Sequence, residues 1–109
     1  MAYTNVHKFA AISPTKLRPV AELIRGKRID EAQAILEMSK RRGAVLLLQS
    51  LQAARGNADQ AEADVRRLYV SEVRVDVGPT RRKFQPKDRG RAFQIIKRTS
   101  HVTVALDEA

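Results

Sequence analysis

Two runs of alternating β-branched residues bracket a segment too polar to be buried, and that arrangement constrains the fold more than any other feature. In the first run Tyr69, Ser71, Val73, Val75 and Val77 share one face, while Val70, Glu72, Arg74 and Asp76 share the other. In the second, Ser100 to Leu106, the residues Val102, Val104 and Leu106 lie on one face. Branched side chains at alternate positions mark half-buried strands. If these faces pack in an antiparallel pair, partner numbers must sum to an odd value. A sum of 177 opposes Val73 to Val104 and Val75 to Val102. The same register opposes Phe84 to Phe93 and makes Lys87-Asp88-Arg89-Gly90 a tight turn, with Gly90 where type I turns favour it. A bulge at Gly78-Pro79 would shift this register by one.

The hairpin between these strands is long and basic. From Thr80 to the turn is about nine residues, or roughly 30 Å of strand. Residues 80–101 hold eight cations (Arg81, Arg82, Lys83, Lys87, Arg89, Arg91, Lys97, Arg98) and one anion, Asp88, for a net +7. The whole chain of 109 residues carries +9, so the remaining 87 residues total only +2. Concentrated charge repels itself unless a polyanion neutralises it, and phosphates are the usual polyanion. A two-stranded ribbon that leaves its core is marginal alone and gains order on binding. Arg81, Arg82, Lys83, Phe84 and Arg91, Ala92, Phe93 interleave guanidinium forks, which suit phosphate oxygens, with rings. The rings have two compatible uses: stacking on unpaired bases, or stapling the two strands together.

The remainder reads as a weak strand, Tyr3 to Ile12, followed by three helices. Ser13-Pro14 starts the first, with Ser as N-cap and Pro at the first helical position. Val20, Leu23 and Ile24 recur at helical spacing, Pro19 predicts a local bend, and Gly26 supplies the left-handed stop. Asp30 is expected to cap the second helix, whose apolar stripe is Ala32, Ile35, Leu36 and Met38. Ser39 is expected to cap the third, where Ala44, Leu47, Leu48, Leu51 and Ala54 give the best periodic signal and Gly56 weakens the final turns. Two further basic groups fall here. Lys40, Arg41 and Arg42 stand at the start of the third helix, either solvated or placed to hold an anion at its positive end. Lys16, Arg18, Arg25, Lys27 and Arg28 form a looser group around the first helix.

Composition excludes several function classes. There is no Cys, which removes disulfides, thiolate zinc sites and Cys nucleophiles and fits a reducing compartment. The imidazoles are His7 and His101, and neither has a carboxylate or nucleophile at catalytic spacing. Ser100 and His101 are strand neighbours that point to opposite faces, so a Ser–His relay is poor geometry. Gly26-Lys27 lacks the earlier glycine and the Ser/Thr of a phosphate loop. The longest uncharged stretch, Gly43 to Ala54, is too short to span a bilayer, which needs ~20 residues. With 43% apolar residues the chain supports one modest core. We therefore expect no catalytic residues, metal, cofactor, small-molecule substrate or membrane contact, and no homo-oligomer.

Several motifs carry a family likeness. Ile12-Ser13-Pro14-Thr15-Lys16-Leu17-Arg18 with Leu23-Ile24-Arg25-Gly26-Lys27 resembles the opening of the bacterial large-subunit ribosomal protein family L twenty-two. Asp76-Val77-Gly78-Pro79, Pro86, Arg89-Gly90-Arg91-Ala92 and Ile96 to Val104 resemble its C-terminal signature. The resemblance implies an α+β fold, with three helices packed on a small three-stranded antiparallel sheet and a long protruding basic β-hairpin. It implies one domain, 1–109, with a globular part at 1–79 and 99–109 and the hairpin at 80–98. The implied partners are large-subunit rRNA, neighbouring large-subunit proteins and the nascent polypeptide, in the cytoplasm. Arg81 to Lys83 and Lys97, Arg98, Thr99, Ser100 and His101 would be stem contacts to rRNA. Gln85, Pro86, Lys87, Asp88, Arg89, Gly90 and Arg91 would be the tip lining the exit tunnel. The lack of a transit segment points to a bacterial rather than an organellar ribosome. Ala11 stands where the family often has Arg, Pro19 replaces a usual aliphatic residue, Ala54-Arg55-Gly56-Asn57 departs from its Ala/Asn-rich segment, and Asp88 makes the tip less cationic. The alternative reading is a β-ribbon DNA-binding or architectural protein, which would use the arm in a groove and normally dimerise.

Overall fold

The computed structural model describes residues 2–87 and 91–109, with the backbone alone described for 81–87 and 91–96. The elements run β1 (Tyr3–Ala10), α1 (Pro14–Ile24), α2 (Ile29–Met38), α3 (Arg42–Gln60), a 3-10 turn (Val65–Arg67), β2 (Leu68–Val77), β3 (Arg81–Lys87), β4 (Arg91–Lys97) and β5 (Ser100–Glu108). An antiparallel sheet has the order β1-β5-β2, and β3-β4 form a separate two-stranded ribbon. The architecture is α+β, with the helices packed on one face of the sheet. The radius of gyration is 16.9 Å and the long axis 63 Å. A compact chain of this length would have a radius of about 13 Å. The excess matches a ribbon projecting from its core.

Alternation in β2 and β5 places Val73, Val75, Val102, Val104 and Leu106 against Leu17, Val20, Ile24, Leu47 and Leu51. The pairs Val73–Val104 and Val75–Val102 form as the alternation predicts. Between Val70 and Glu72 the register shifts, so Leu68 and Val70 are buried where the alternation put Tyr69 and Ser71. A bulge at Ser71 flips the pleat, and the Ser71 hydroxyl donates to the Ala105 carbonyl at 3.1 Å. The bulge expected at the hairpin base is also present in effect. Val77 pairs with Ser100, but Arg81 pairs with Lys97, so the ribbon runs one residue off the sheet register. Phe84 consequently faces Gln94 and Phe93 faces Gln85. The direct Phe84–Phe93 pair is replaced, and the two positions fall on alternate faces of the ribbon. The tight turn expected at Lys87-Asp88-Arg89-Gly90 lies partly outside the described residues.

The first helix starts where expected, and the other two start elsewhere because the chain is already held by neighbours. Ser13 does stand at the N-cap of α1, yet its hydroxyl contacts Thr15 Oγ1 at 3.1 Å instead of capping, and its carbonyl accepts from the Lys16 and Leu17 amides. The N-cap of α2 is Arg28, not Asp30. Lys27 accepts from the Val70 amide and Arg28 bridges Tyr69, which keeps the backbone extended up to the helix. Asp30 and Glu31 instead lie in the first turn, where carboxylates favour the positive helix end. Ser39 ends α2, its hydroxyl accepting from the Arg41 amide, and Arg41 is the N-cap of α3. Pro19 lies on the exposed side of α1, which continues across it.

Two stripe residues are outside the core. Leu23 is 50% exposed and Met38 84% exposed. At about 100° per residue, Leu23 sits roughly 120° from the Leu17–Ile24 stripe and Met38 roughly 200° from Leu36. Gly26 has the expected left-handed φ, +79°, but α1 has already ended: Arg25 is extended, and Gly26 completes a type II turn closed by the Lys27 amide on the Ile24 carbonyl. Gly56 does not end α3, which runs on to Gln60. Its terminus is a Schellman motif: the Ala63 amide donates to Ala58 and the Glu62 amide to Asp59, with Glu62 at φ +60°.

Candidate nucleic-acid interface

Gly43 lies in the first turn of α3 and packs on the first turn of α1. A Cβ there would come within 2.9 Å of Leu17 Cδ2 and 3.6 Å of the Lys16 carbonyl. The missing side chain lets the two helix starts converge. Beside them the ribbon leaves the sheet. A Cβ at Gly78 would lie 2.6 Å from Thr99 Oγ1 and 3.2 Å from the Thr99 carbonyl carbon and oxygen. The Gly78 amide donates to the Thr99 carbonyl at 2.9 Å, and the Thr99 hydroxyl donates to the Pro79 carbonyl. These two glycines bring three chain segments to one place.

The result is a cavity of about 710 Å³ lined by Ala11, Ile12, Ser13, Thr15, Lys16, Arg41, Arg42, Gly43, Lys97 and Arg98. Five cations from three basic groups that are far apart in sequence thus share one concave surface. The starts of α1 and α3, the positive ends of the two helix dipoles, add to the same field. An anion here satisfies amides and cations together, and relieves the repulsion of Arg41 and Arg42 from the helix end they occupy. A smaller cavity of about 300 Å³ adjoins it, lined by Pro14, Thr15, Arg18, Val77, Thr80 and Arg98.

Not every basic residue is gathered here. The Arg25 guanidinium donates to the Val73 carbonyl at 2.8 Å, so it braces α1 against β2. Lys27 and Arg28 follow the far end of α1, about 16 Å along an eleven-residue helix, and their backbone pairs with the edge of β2. Lys40 is exposed next to the cavity but does not line it. Thr99 and Ser100 are buried, and Ser100 donates to the Ile12 carbonyl at 2.6 Å, so both hydroxyls serve the fold. His101 is half-buried; its Nδ1 accepts from the Phe9 amide at 3.0 Å, and its ring meets Phe9 edge-on at 5.0 Å. Arg81, Arg82, Lys83, Phe84, Gln85, Pro86 and Lys87 lie on β3, and Arg91 and Phe93 on β4. Asp88, Arg89 and Gly90 lie outside the described residues. Thr15 and Thr80 line the cavities but are not singled out by the sequence, since no charge or periodicity marks them; Val77, which alternation puts on the face of Val73 and Val75, is instead exposed at the cavity wall. Among the described residues no cluster of three His, Asp or Glu could hold a metal, and no helix is long and apolar enough to cross a membrane.

The model of the family Ribosomal protein L22p/L17e matches residues 5–107. The chain belongs to that family. Its relatives include the large ribosomal subunit protein uL22 of Desulfotalea psychrophila, 45% identical over 104 residues, and that of Maridesulfovibrio salexigens, 46% identical. The uL22 of Clostridium novyi is 41% identical, and in all three cases the match covers 94% of each chain. Family membership spans both the globular residues and the ribbon, so the cavity at their junction lies within the family match.

Proposed function

We propose that this chain is a non-enzymatic structural constituent of the large ribosomal subunit, in the cytoplasm, and that it anchors to large-subunit rRNA through the base and stem of its hairpin. The observation that carries the reading is the cationic cavity shared by Lys16, Arg41, Arg42, Lys97 and Arg98. Each of these residues offers phosphate donors, and the packing of α1, α3 and the ribbon sets their spacing before RNA arrives. Arg81, Arg82, Lys83 and Arg91 extend the basic track along the ribbon, and the offset register gives Phe84 and Phe93 separate faces on which bases can stack. The tip, Gln85 to Arg91, is the segment that would reach the exit tunnel and line it beside a nascent chain. Arg18 extends the base of the track, while Lys27, Arg28 and Lys40 supply peripheral charge. The relatives' shared name, large ribosomal subunit protein uL22, supports this assignment.

The test is sedimentation of cell lysate containing tagged full-length chain. The chain should travel with large subunits and be released by high salt. Recovery only in the soluble fraction at low salt would reject the reading. In binding to protein-free large-subunit rRNA, five phosphate contacts at the cavity alone predict a log–log salt slope of about −3.5 to −4.5.

A further inference from the structure

Phosphate binding explains the larger cavity but not the smaller one beside it. Val77, the last residue of β2, is 67% exposed and lines the smaller cavity together with Arg18, Thr80 and Arg98. Phosphate needs no apolar wall. Nor does the outside of an RNA duplex, which presents phosphates and 2′-hydroxyls and keeps its base faces stacked. An unpaired nucleotide presents both chemistries, a flat apolar base and a phosphate, joined by one sugar. The two cavities share Thr15 and Arg98, so base and phosphate sites are adjacent. The smaller volume, about 300 Å³, is at the low end for ligand pockets and suits one ring system.

Resting on the rRNA reading above, we infer that the hairpin base takes an unstacked nucleotide from an unpaired rRNA segment. Its base lies on Val77, and its phosphate lies among Arg98, Lys97 and the two helix starts. Thr80 offers a hydroxyl, donor and acceptor both, to the base edge. Arg18 and Arg98 flank the base, where a guanidinium plane can also stack. The site thus reads RNA single-strandedness, in addition to its charge.

Full-length chain bound to protein-free bacterial large-subunit rRNA provides the test. Hydroxyl-radical cleavage reports the backbone footprint, and dimethyl sulfate with a carbodiimide reports base edges. Wild-type protein should protect at least one unpaired base inside the footprint. Val77→Ser should restore that base's reactivity, leave the backbone footprint in place and weaken binding about fivefold. Val77→Ile, which keeps the apolar wall, should protect the base as wild type does. If Val77→Ser leaves every base reactivity unchanged, or weakens base and backbone protection uniformly, the nucleotide site is wrong while rRNA binding stands. A wild-type chain with no backbone footprint would reject rRNA binding itself, and the nucleotide site with it.

Discussion

The Ser100 hydroxyl donates to the Ile12 carbonyl 2.6 Å away, and both residues are buried although 88 positions separate them in the chain. This bond ties the start of β5, where the ribbon returns, to the corner between β1 and α1. The corner forms one wall of the cationic cavity, so the bond fixes that wall relative to Lys97 and Arg98.

Ser100→Ala should therefore lower stability by about 1–3 kcal/mol, because the Ile12 carbonyl is left buried without its partner. A lower urea midpoint with an unchanged m-value is the expected result. An unchanged midpoint would mean that the carbonyl finds another donor.

Gly78→Ala should be costly for a different reason. The new Cβ meets backbone atoms of Thr99 at 3.2 Å as well as its hydroxyl at 2.6 Å, and backbone gives way less easily than a side-chain end. About 1–3 kcal/mol of overpacking is expected, with the strain at the hairpin base. Hydrogen exchange should show faster exchange of the Gly78 amide, now bonded to Thr99. Wild-type exchange at that amide would sink the prediction.

Glu62→Gly should stabilise the protein. Glu62 occupies the left-handed position that ends α3, where a Cβ costs roughly 1–2 kcal/mol and glycine avoids it. Some of that gain is offset by glycine's freedom in the unfolded chain, leaving about 0.5–1 kcal/mol. Thermal unfolding should move upward; a fall would show that Glu62 makes a compensating contact.

Arg25 and the Arg41–Arg42 pair should behave in opposite ways. Arg25→Ala removes the bond to the Val73 carbonyl and should cost about 1 kcal/mol of stability without changing the salt slope of rRNA binding. Arg41→Ala with Arg42→Ala should stabilise the free protein by a few tenths of a kcal/mol, since both cations sit at a positive helix end. The same pair should flatten the salt slope by about 1.4–1.8. Equal slopes for the two variants would dissolve the distinction between bracing and binding arginines.

Alternation limits the pairing of β2 with β5 to odd sums, and with the turn signal at Lys87-Asp88-Arg89-Gly90 it places Val73 opposite Val104. It also locates the basic ribbon, since a run rich in Arg and Lys between two apolar strands has nowhere to go but outward. Helical periodicity likewise marks Leu47, Leu51 and Ala54 as core. Helix caps are less legible. Ser13 stands at its expected cap position, whereas Asp30 and Ser39 have capping chemistry but bonds to β2 and a short connection hold the backbone first. The Ser71 bulge and the slip at Gly78 leave no compositional trace beyond one glycine, yet each shifts every later pairing by one.

The charge and its address along the chain are properties of sequence: +7 within residues 80–101 follows from counting. That Lys16, Arg41, Arg42, Lys97 and Arg98 line one cavity is not. Their convergence depends on two close approaches, Gly43 against Leu17 and Gly78 against Thr99, and on the slipped register that sets where the ribbon leaves the sheet. Residue order is enough to put a polycation on an α+β platform. Packing makes charge from three distant segments into one site, because proximity across 80 or so residues has no local signal.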